Sequence, residues 1–231
     1  MVYRADPVRE AVSAILLGHR GARATNSVPE NTFASFDLCL QHGCGGFEFD
    51  VRRTADGVPV VCHDPTFRGV NLARTTIRDM EDWRAQGVLP TLEETLQRYS
   101  TRCFLDIEIK DAGLEQQALD LLRRYPPQNG YVITSFVPEV LLRLRELDPT
   151  LELGLIWDTR SDVWRSLPIQ WALLERRLLD QSLLGQLKDA GKRVGTWTVN
   201  DASEMLRLAA QGAEILISDD TARLVNTFRV S

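Results

Sequence analysis

Residues 45–51 read GGFEFDV, a stretch in which apolar and acidic side chains alternate. Because successive side chains of a β-strand point to opposite faces, two phenylalanines and a valine fall on one face, while Glu48 and Asp50 fall on the other. The segment LDIEIK (105–110) repeats this alternation. The sequence therefore predicts two strands that each have one apolar face and one acidic face.

Short apolar runs alternate with amphipathic segments along the chain, a pattern typical of βα units and a parallel sheet. Eight runs are candidate strands: SAILLG (13–18), GFEFDV (46–51), RCFLDIEI (102–109), YVITSF (131–136), ELGLIW (152–157), IQWALL (169–174), RVGTWTV (193–199) and EILIS (214–218). Eight strands in 231 residues predict an α/β fold, a (β/α)8 TIM barrel, with a doubly wound open sheet as the alternative.

Six segments between these strands have helical patterns: NTFASFDLCLQHG (31–43), TLEETLQRYS (91–100), LEQQALDLLRRY (114–125), PEVLLRLREL (138–147), LLDQSLLGQLKDAG (178–191) and DASEMLRLAAQG (201–212). Asn31 is predicted to cap the first helix, and Thr91 with Glu94 is predicted to form a capping box in the second. The helix expected between residues 161 and 168 has almost no visible pattern.

The segment that follows the second strand, RRTADGVPVVCHD, departs from this alternation. Asp56-Gly57 is a hairpin signal between two strand-like runs, so residues 58–62 are predicted to return antiparallel to the second strand. With these two residues at the tip, His63 would lie opposite Asp50. The sequence thus predicts a β-hairpin extension that brings a histidine to the acidic face.

Composition indicates one globular domain over residues 1–231, with 44% hydrophobic and 26% charged residues. The formal net charge of -5 argues against a nucleic-acid partner.

A charged N-terminus followed by the short run AILL predicts neither a signal peptide nor a stable membrane anchor, and hence a cytoplasmic protein. The four cysteines lack a CxxC pair and are interpreted as small buried residues. The oligomeric state is not indicated by any pattern.

Active sites of (β/α)8 barrels open at the C-terminal ends of the strands. Glu48 and Asp50, with Cα atoms roughly 6.6 Å apart by strand rise, can converge with Glu108 on one cation. Both faces of a parallel sheet are covered, and lone buried charges cost roughly several kcal/mol, so a metal site is favoured over a solvated face. All-oxygen ligands favour Mg²⁺ or Ca²⁺ over zinc. Asp106, deeper in its strand, is interpreted as structural.

Two of the three histidines, His19 and His63, fall at predicted strand ends on the side of the acidic cluster, whereas His42 is expected on the surface. An imidazole titrates near neutral pH and can donate or accept a proton. Arg20 and Lys110 add fixed positive charge. A divalent cation, two cationic side chains and a histidine pair together predict chemistry on a phosphate ester.

Five motifs resemble the glycerophosphodiester phosphodiesterase family: GHRGARATNSVPENT (18–32), FEFDVRRTADGVPVVCHD (47–64), LDIEIK (105–110), ITSF (133–136) and TWTVN (196–200). The resemblance covers nearly the whole chain. It implies a (β/α)8-barrel enzyme of lipid or glycerol metabolism. Such an enzyme uses one divalent cation to hydrolyse small-molecule glycerophosphodiesters to glycerol 3-phosphate and an alcohol.

The residues that match the family's motifs are the metal ligands Glu48, Asp50 and Glu108, the acid/base pair His19 and His63, and the phosphate-contacting Arg20 and Lys110. Trp197 matches an aromatic residue at the substrate mouth, with a core position as an equal alternative, and Glu30 is expected to anchor the first loop. The resemblance slightly favours His19 as base and His63 as acid. The attacking oxygen comes either from water or from the glycerol 2-hydroxyl.

Two features depart from the family's pattern. The chain reads SDDT at 218–221 where members commonly have TD-x-P, so the resemblance assigns no role to this loop. Segment 64–89 is short, polar and rich in arginine, and it cannot form an extra domain. Two other functions stay open, namely a lysophospholipase D-type hydrolase that acts on a lipid phosphodiester and a non-catalytic phosphodiester-binding barrel.

Overall fold

The computed structural model describes residues 14–25 and 27–229. The predicted start of the first strand, Ser13, and the charged N-terminal residues lie outside this part. The strands are β1 (Ile15–His19), β2 (Gly46–Arg53), β3 (Pro59–Val61), β4 (Thr66–Phe67), β5 (Val70–Asn71), β6 (Phe104–Ile109), β7 (Tyr131–Ser135), β8 (Leu153–Trp157), β9 (Trp171–Glu175), β10 (Arg193–Trp197) and β11 (Ile215–Ser218). The α-helices are α1 (Phe33–His42), α2 (Glu81–Ala85), α3 (Leu92–Tyr99), α4 (Glu115–Arg124), α5 (Pro138–Leu147), α6 (Gln181–Asp189), α7 (Ala202–Gln211) and α8 (Thr221–Phe228).

Eight of these strands form a closed parallel barrel. Their order around the barrel is β1, β2, β6, β7, β8, β9, β10 and β11, and β1 pairs with both β2 and β11. This closure confirms the predicted (β/α)8 barrel. The open-sheet alternative is wrong, because an open sheet would leave β1 without its second partner.

The apolar face of β2 packs against the surrounding helices. The ring of Phe47 stacks on Phe36 of α1 at a centroid distance of 4.1 Å and meets Tyr99 of α3 edge-on at 5.0 Å. All three rings are fully buried, and each such burial contributes roughly 1.5–3 kcal/mol. Helix packing therefore accounts for the apolar half of the alternation in GFEFDV, and the acidic half points into the barrel.

A second apolar cluster fills the barrel itself. Its buried members all lie on barrel strands and are Leu17, Phe104, Val132, Ile156, Trp171, Leu173, Ile215 and Ile217. Towards the C-terminal ends of the strands, the register sets His19 beside Glu48 and Asp50 beside Glu108. Polar residues therefore occupy this end of the barrel above an apolar interior.

β2 extends past the barrel and pairs antiparallel with β3. In this pairing Val51 lies opposite Val61, and the Cys62 N–H donates to the Asp50 carbonyl oxygen at 3.0 Å. The prediction that His63 lies opposite Asp50 is therefore wrong by one residue.

The length of the turn explains this shift. The Thr54 N–H donates to the Val58 carbonyl oxygen at 3.1 Å, so three residues form the tip instead of the predicted two. Gly57 ends the tip with a φ of +85°, in the left-handed region that glycine adopts without strain. Three-residue loops with a left-handed last residue are a common hairpin connection.

The N-cap of α1 differs from the prediction. Thr32, not Asn31, is the capping residue, and its hydroxyl accepts the Ser35 N–H at 3.2 Å. Asn31 has a φ of +57°, and its side chain donates to Asp50 at 2.8 Å. The side chain of Asn31 therefore binds Asp50 of the second strand and does not cap the helix.

Other helix features agree with their sequence signals or extend them. The capping box of Thr91 and Glu94 is confirmed at α3. Segment 161–168 forms only a 3-10 turn, as its weak pattern suggests. α8 lies beyond the last predicted helix, and its Thr221 hydroxyl is 2.7 Å from Nδ1 of the half-buried His42. No helix in the described ranges combines the length and apolar character needed to cross a membrane.

Segment 64–89 forms a small layer beside the hairpin. It contains the strand pair β4–β5, two 3-10 turns and α2. Leu72, Met80 and Leu89 are buried there against Val60 and Cys62. All four cysteines of the chain are buried and free, as predicted.

Candidate active site

Three carboxylates meet at the C-terminal ends of β2 and β6. Glu48 and Asp50 come from β2, and parallel pairing sets Glu108 of β6 beside Asp50. One oxygen of each residue lies within 4.8 Å of the other two. The three residues, here called the carboxylate cluster, are 4%, 1% and 6% exposed. The structure thus brings the three predicted metal ligands together in a buried position.

Burial and mutual repulsion disturb the ionisation of this cluster. Burial, followed by the charges of Asp50 and Glu108, raises the pKa of Glu48 well above its usual value. Burial and the charge of Asp50 raise the pKa of Glu108 to about 7. Burial also opposes ionisation of Asp50, but Lys110 and Arg20 outweigh it and lower the pKa of that residue. The protein alone therefore compensates only part of the negative charge.

Two cationic side chains border the carboxylate cluster. Lys110 Nζ lies 3.2 Å from Asp50 Oδ1 and 2.7 Å from Glu108 Oε1. Arg20 Nε lies 3.3 Å from Asp50 Oδ2, and Arg20 Nη1 donates to Glu30 Oε1 at 2.8 Å. Glu30 thus anchors Arg20 within the first loop. Both cations predicted to contact phosphate lie at the cluster.

The carboxylate cluster fits a hard divalent cation. Its ligand atoms are all oxygens, which Mg²⁺ and Ca²⁺ prefer. Glu48 Oε1 is buried and has no hydrogen-bond partner among the residues that the structure describes. An unpaired buried acceptor costs about 1–3 kcal/mol, and a cation bound by this oxygen would remove that cost.

His19 and His63 line the same cavity as Glu48 and Glu108 of the carboxylate cluster. His19 Nε2 lies 4.0 Å from Glu48 Oε2, and His19 Nδ1 lies 2.7 Å from Asp219 Oδ1. His63 Nδ1 lies 2.8 Å from Asp64 Oδ1. Burial lowers the pKa of His63. Because a carboxylate engages Nδ1 in both rings, Nε2 is the nitrogen left for the cavity.

The remaining lining of the cavity is apolar. Ile156, Leu173 and Ile217 line it from the strands, together with Trp197 and Phe136. The rings of Trp197 and Phe136 meet edge-on at 5.6 Å, and Trp197 Nε1 donates to the Leu173 carbonyl oxygen at 3.3 Å. Trp197 therefore borders the cavity and also contacts the apolar cluster inside the barrel.

Asp106 lies beside Glu48 in the β2–β6 register, one layer deeper than Glu108. It is fully buried, and Thr134 Oγ1 donates to its Oδ1 at 2.7 Å. Burial raises the pKa of Asp106 to about 8, so the side chain is largely uncharged at neutral pH. Asp106 also lines the cavity, and its structural role stays a prediction.

Sequence reasoning missed three residues that support the predicted site. Asn31 Nδ2 donates to Asp50 Oδ2, and Asp64 and Asp219 contact the two histidines. Asn31 and Asp64 belong to the quoted motifs, so the motifs contained a signal for them. Asp219 lies in the SDDT loop, 200 residues from His19, and no local pattern connects the two.

A (β/α)8 barrel whose strand ends carry an acidic cluster and two histidines has the fold and site of a hydrolase. Residues 19–223 match the family model described as the glycerophosphoryl diester phosphodiesterase family. The chain belongs to this family of metal-dependent hydrolases.

Relatives are similar over nearly their whole length. A glycerophosphodiester phosphodiesterase of Caldanaerobacter subterraneus is 26% identical over 94% of this chain and 99% of the relative. A solved phosphodiesterase from Oleispira antarctica, in complex with the product sn-glycerol-3-phosphate, is 26% identical with a TM-score of 0.80 and covers 92% of this chain and 95% of its own. A solved glycerophosphodiester phosphodiesterase from Thermotoga maritima shares the fold, with 23% identity and a TM-score of 0.79. The match covers 92% of this chain and 97% of the Thermotoga maritima chain.

Proposed function

We propose that this protein is a metal-dependent phosphodiesterase that hydrolyses glycerophosphodiesters to glycerol 3-phosphate and an alcohol. The observation that carries the proposal is the carboxylate cluster, two members of which line the same cavity as His19 and His63. Family membership supports it. The Oleispira antarctica relative, solved with sn-glycerol-3-phosphate as its product, supports a small-molecule substrate.

Glu48, Asp50 and Glu108 would hold one divalent cation, Mg²⁺ or Ca²⁺. When bound, such a cation supplies Lewis-acid charge that offsets the negative charge of the phosphate. The unpaired Oε1 of Glu48 supports this assignment. The raised pKa values of Glu48 and Glu108 do so as well, since a nearby cation stabilises ionised carboxylates.

The chain's own residues bind the phosphate and move the protons. Lys110 and Arg20, at the border of the carboxylate cluster, bind phosphate oxygens. His19 Nε2 accepts the proton of the attacking water or glycerol 2-hydroxyl, and His63 Nε2 donates a proton to the departing alkoxide. General acid–base catalysis of this kind contributes roughly 10²–10⁴-fold to the rate. Trp197 forms the apolar wall against the carbon skeleton of the substrate.

The cavity suits a water-soluble glycerophosphodiester better than a lipid. Over the described residues, Phe136 is the one exposed large apolar side chain that lines the cavity, and it is 39% exposed. Binding an acyl chain at the surface requires a contiguous apolar patch, which a single ring does not provide. Hydrolysis of lysophosphatidylcholine vesicles at a rate above that of glycerophosphocholine would reverse this choice of substrate.

The test uses purified protein treated with EDTA, with glycerophosphocholine as substrate and glycerol 3-phosphate as the measured product. We expect release only after Mg²⁺ or Ca²⁺ is restored. The double variant Glu48→Gln/Glu108→Gln keeps side-chain volume, removes two ligand charges and is expected to be inactive at every cation concentration. Glu115→Gln, at a buried glutamate outside the cavity, is the matched control and should remain active.

Two results would contradict this proposal. Turnover that is indifferent to EDTA, or a fully active double variant, would remove the metal from the mechanism. Tight binding of glycerophosphocholine by the metal-loaded protein without release of glycerol 3-phosphate would identify a non-catalytic binding barrel instead.

A further inference from the structure

The loop after β11 contacts the His19 ring. Asp219 Oδ1 lies 2.7 Å from His19 Nδ1, and Arg23 Nη1 donates to the same oxygen at 3.3 Å. Burial alone would raise the pKa of Asp219, but hydrogen bonds from His19 and Asn200 hold it well below its usual value. Asp219 is therefore ionised at neutral pH, and an ionised carboxylate can only accept hydrogen bonds.

Asn200, the last residue of the TWTVN motif, fixes the carboxylate of Asp219. Asn200 Oδ1 accepts two hydrogen bonds, from the Ser218 hydroxyl and from the backbone N–H of Asp219, both at 2.9 Å. Because a backbone N–H can only donate, the amide oxygen of Asn200 must face it. Asn200 Nδ2 then points at Asp219 Oδ2, to which it donates at 2.8 Å.

An acceptor at this position determines where the His19 ring carries its proton. A neutral imidazole has one N–H donor and one acceptor nitrogen. With Nδ1 donating to Asp219, Nε2 is the acceptor. The nearest carboxylate oxygen to Nε2 is Glu48 Oε2 at 4.0 Å, beyond hydrogen-bond distance, so the lone pair of Nε2 has no bonded partner within the described residues.

We propose that Asp219, held by Asn200, is a positioning residue that fixes His19 in the Nδ1–H tautomer and keeps Nε2 free to accept a proton. This inference rests on the proposed function, because it takes His19 as the base. The O–H bond of the attacking hydroxyl breaks, an N–H bond forms at Nε2, and the Asp219 carboxylate stabilises the resulting imidazolium. The inference gives the SDDT loop a role in the reaction.

The substitution Asp219→Asn tests the role of the carboxylate. The new amide has one accepting oxygen and one donating NH₂ group. Asn200 Nδ2 requires an acceptor, so the oxygen faces Asn200 and the NH₂ group faces His19 Nδ1. Arg23, whose side chain is 40% exposed, can turn away from that group. His19 would then accept at Nδ1 and carry its proton on Nε2, where it cannot act as a base.

The matched control lies one residue further along. Asp220 caps α8 by accepting the Arg223 N–H at 2.9 Å, and it does not line the cavity. Asp220→Asn makes the same chemical change in the same loop and keeps a good capping residue.

Two measurements on the Mg²⁺-loaded protein read out the effect. Long-range ¹H–¹⁵N NMR at about pH 8, where imidazole is neutral, reports which ring nitrogen carries the proton, and a His19→Gln variant identifies the signal. We expect Nδ1–H in the wild type and in Asp220→Asn, and Nε2–H in Asp219→Asn. With glycerophosphocholine, kcat should fall roughly 10²–10⁴-fold in Asp219→Asn at unchanged KM, and it should keep its value in the control.

A second variant separates positioning from a purely structural role. Asn200→Ala in the Asp219→Asn background removes the donor that orients the new amide, whose oxygen can then turn to His19. We expect kcat to rise above that of Asp219→Asn and part of the Nδ1–H signal to return. A double variant with no such recovery contradicts the role of Asn200.

The inference is overturned by an Nε2–H tautomer in the wild type, or by an unchanged tautomer and kcat in Asp219→Asn. The NMR readout does not depend on turnover. An inactive wild type therefore contradicts the proposed function, whereas a wrong tautomer contradicts the positioning role.

Discussion

The substitution Glu48→Gln tests the carboxylate cluster through protein stability. Glu48 Oε2 accepts the Arg20 backbone N–H at 3.0 Å, and Oε1 is buried without a partner in the described part of the chain. The amide oxygen of glutamine can keep the bond to Arg20. Its NH₂ group would then take the place of Oε1, near the carboxylates of Asp50 and Glu108. The variant thus replaces a buried negative charge with a donor close to two acceptors.

Without a cation, we expect the variant to be more stable than the wild type. An unpaired buried acceptor costs about 1–3 kcal/mol, so the free energy of unfolding should rise by about 2 kcal/mol. For a chain of this size that corresponds to an increase in Tm of roughly 4–8 °C.

The advantage of the variant should increase with pH. Burial and the neighbouring charges raise the pKa of Glu48 in the folded state. Above the ordinary glutamate pKa, the folded protein therefore binds more protons than the unfolded chain. The contribution of Glu48 to the stability of the wild type is fully present below the ordinary glutamate pKa. It is lost as pH rises through the raised pKa of the folded state. Glutamine does not titrate, so the variant escapes this loss.

The assay is thermal and urea unfolding in EDTA at about pH 6 and about pH 8, repeated with Mg²⁺ or Ca²⁺. A cation at 100 times its Kd adds about 2.7 kcal/mol to the stability of the wild type and less to the variant, which has lost a ligand charge. Glu115→Gln is the control and should show no cation-dependent difference from the wild type. A Glu48→Gln protein that is less stable than the wild type in EDTA, or that gains equally from the cation, would refute this reasoning.

Three further predictions concern single residues. His63→Asn should lower kcat roughly 10²–10⁴-fold at similar KM in steady-state assays, and an unchanged kcat would exclude an acid role. Lys110→Met removes the cation 2.7 Å from Glu108 Oε1, so KM for glycerophosphocholine should rise; an unchanged KM would show that Lys110 does not bind phosphate. Gly46→Ala would put a Cβ atom 1.9 Å from the Phe104 carbonyl oxygen, so thermal unfolding should show a large loss of Tm, and a Tm equal to the wild type would contradict this close approach.

The barrel could be predicted from the sequence because apolar strand segments alternate with amphipathic helical segments. The carboxylate cluster could be predicted because side chains alternate between the two faces of a strand. The period-2 alternation in GFEFDV and LDIEIK fixes which side chains share a face, and the parallel sheet then covers both faces. Glu48, Asp50 and Glu108 consequently had to lie inside the barrel near the ends of their strands, where the structure has them.

Other contacts depend on backbone geometry that a sequence pattern does not determine. The register of His63 shifted by one residue because the turn ending at Gly57 has three residues instead of two. Asn31 and Thr32 are both good capping residues, and only the tertiary contact between Asn31 and Asp50 selects Thr32. Contacts between distant segments and the geometry of the turn determine the hairpin register and the capping residue.

The contact between His19 and Asp219 has a consequence for refolding. β1 pairs with β11 up to Gly18 and Ser218, so His19 and Asp219 are the next residues beyond that ladder. The contact between His19 and Asp219 can therefore form only after β1 and β11 have paired and closed the barrel. A refolding intermediate in which β2 and β6 have paired could already bind a cation while His19 remains unoriented. Cation binding should then recover before hydrolysis, and the interval between the two would measure how long the barrel takes to complete its ring.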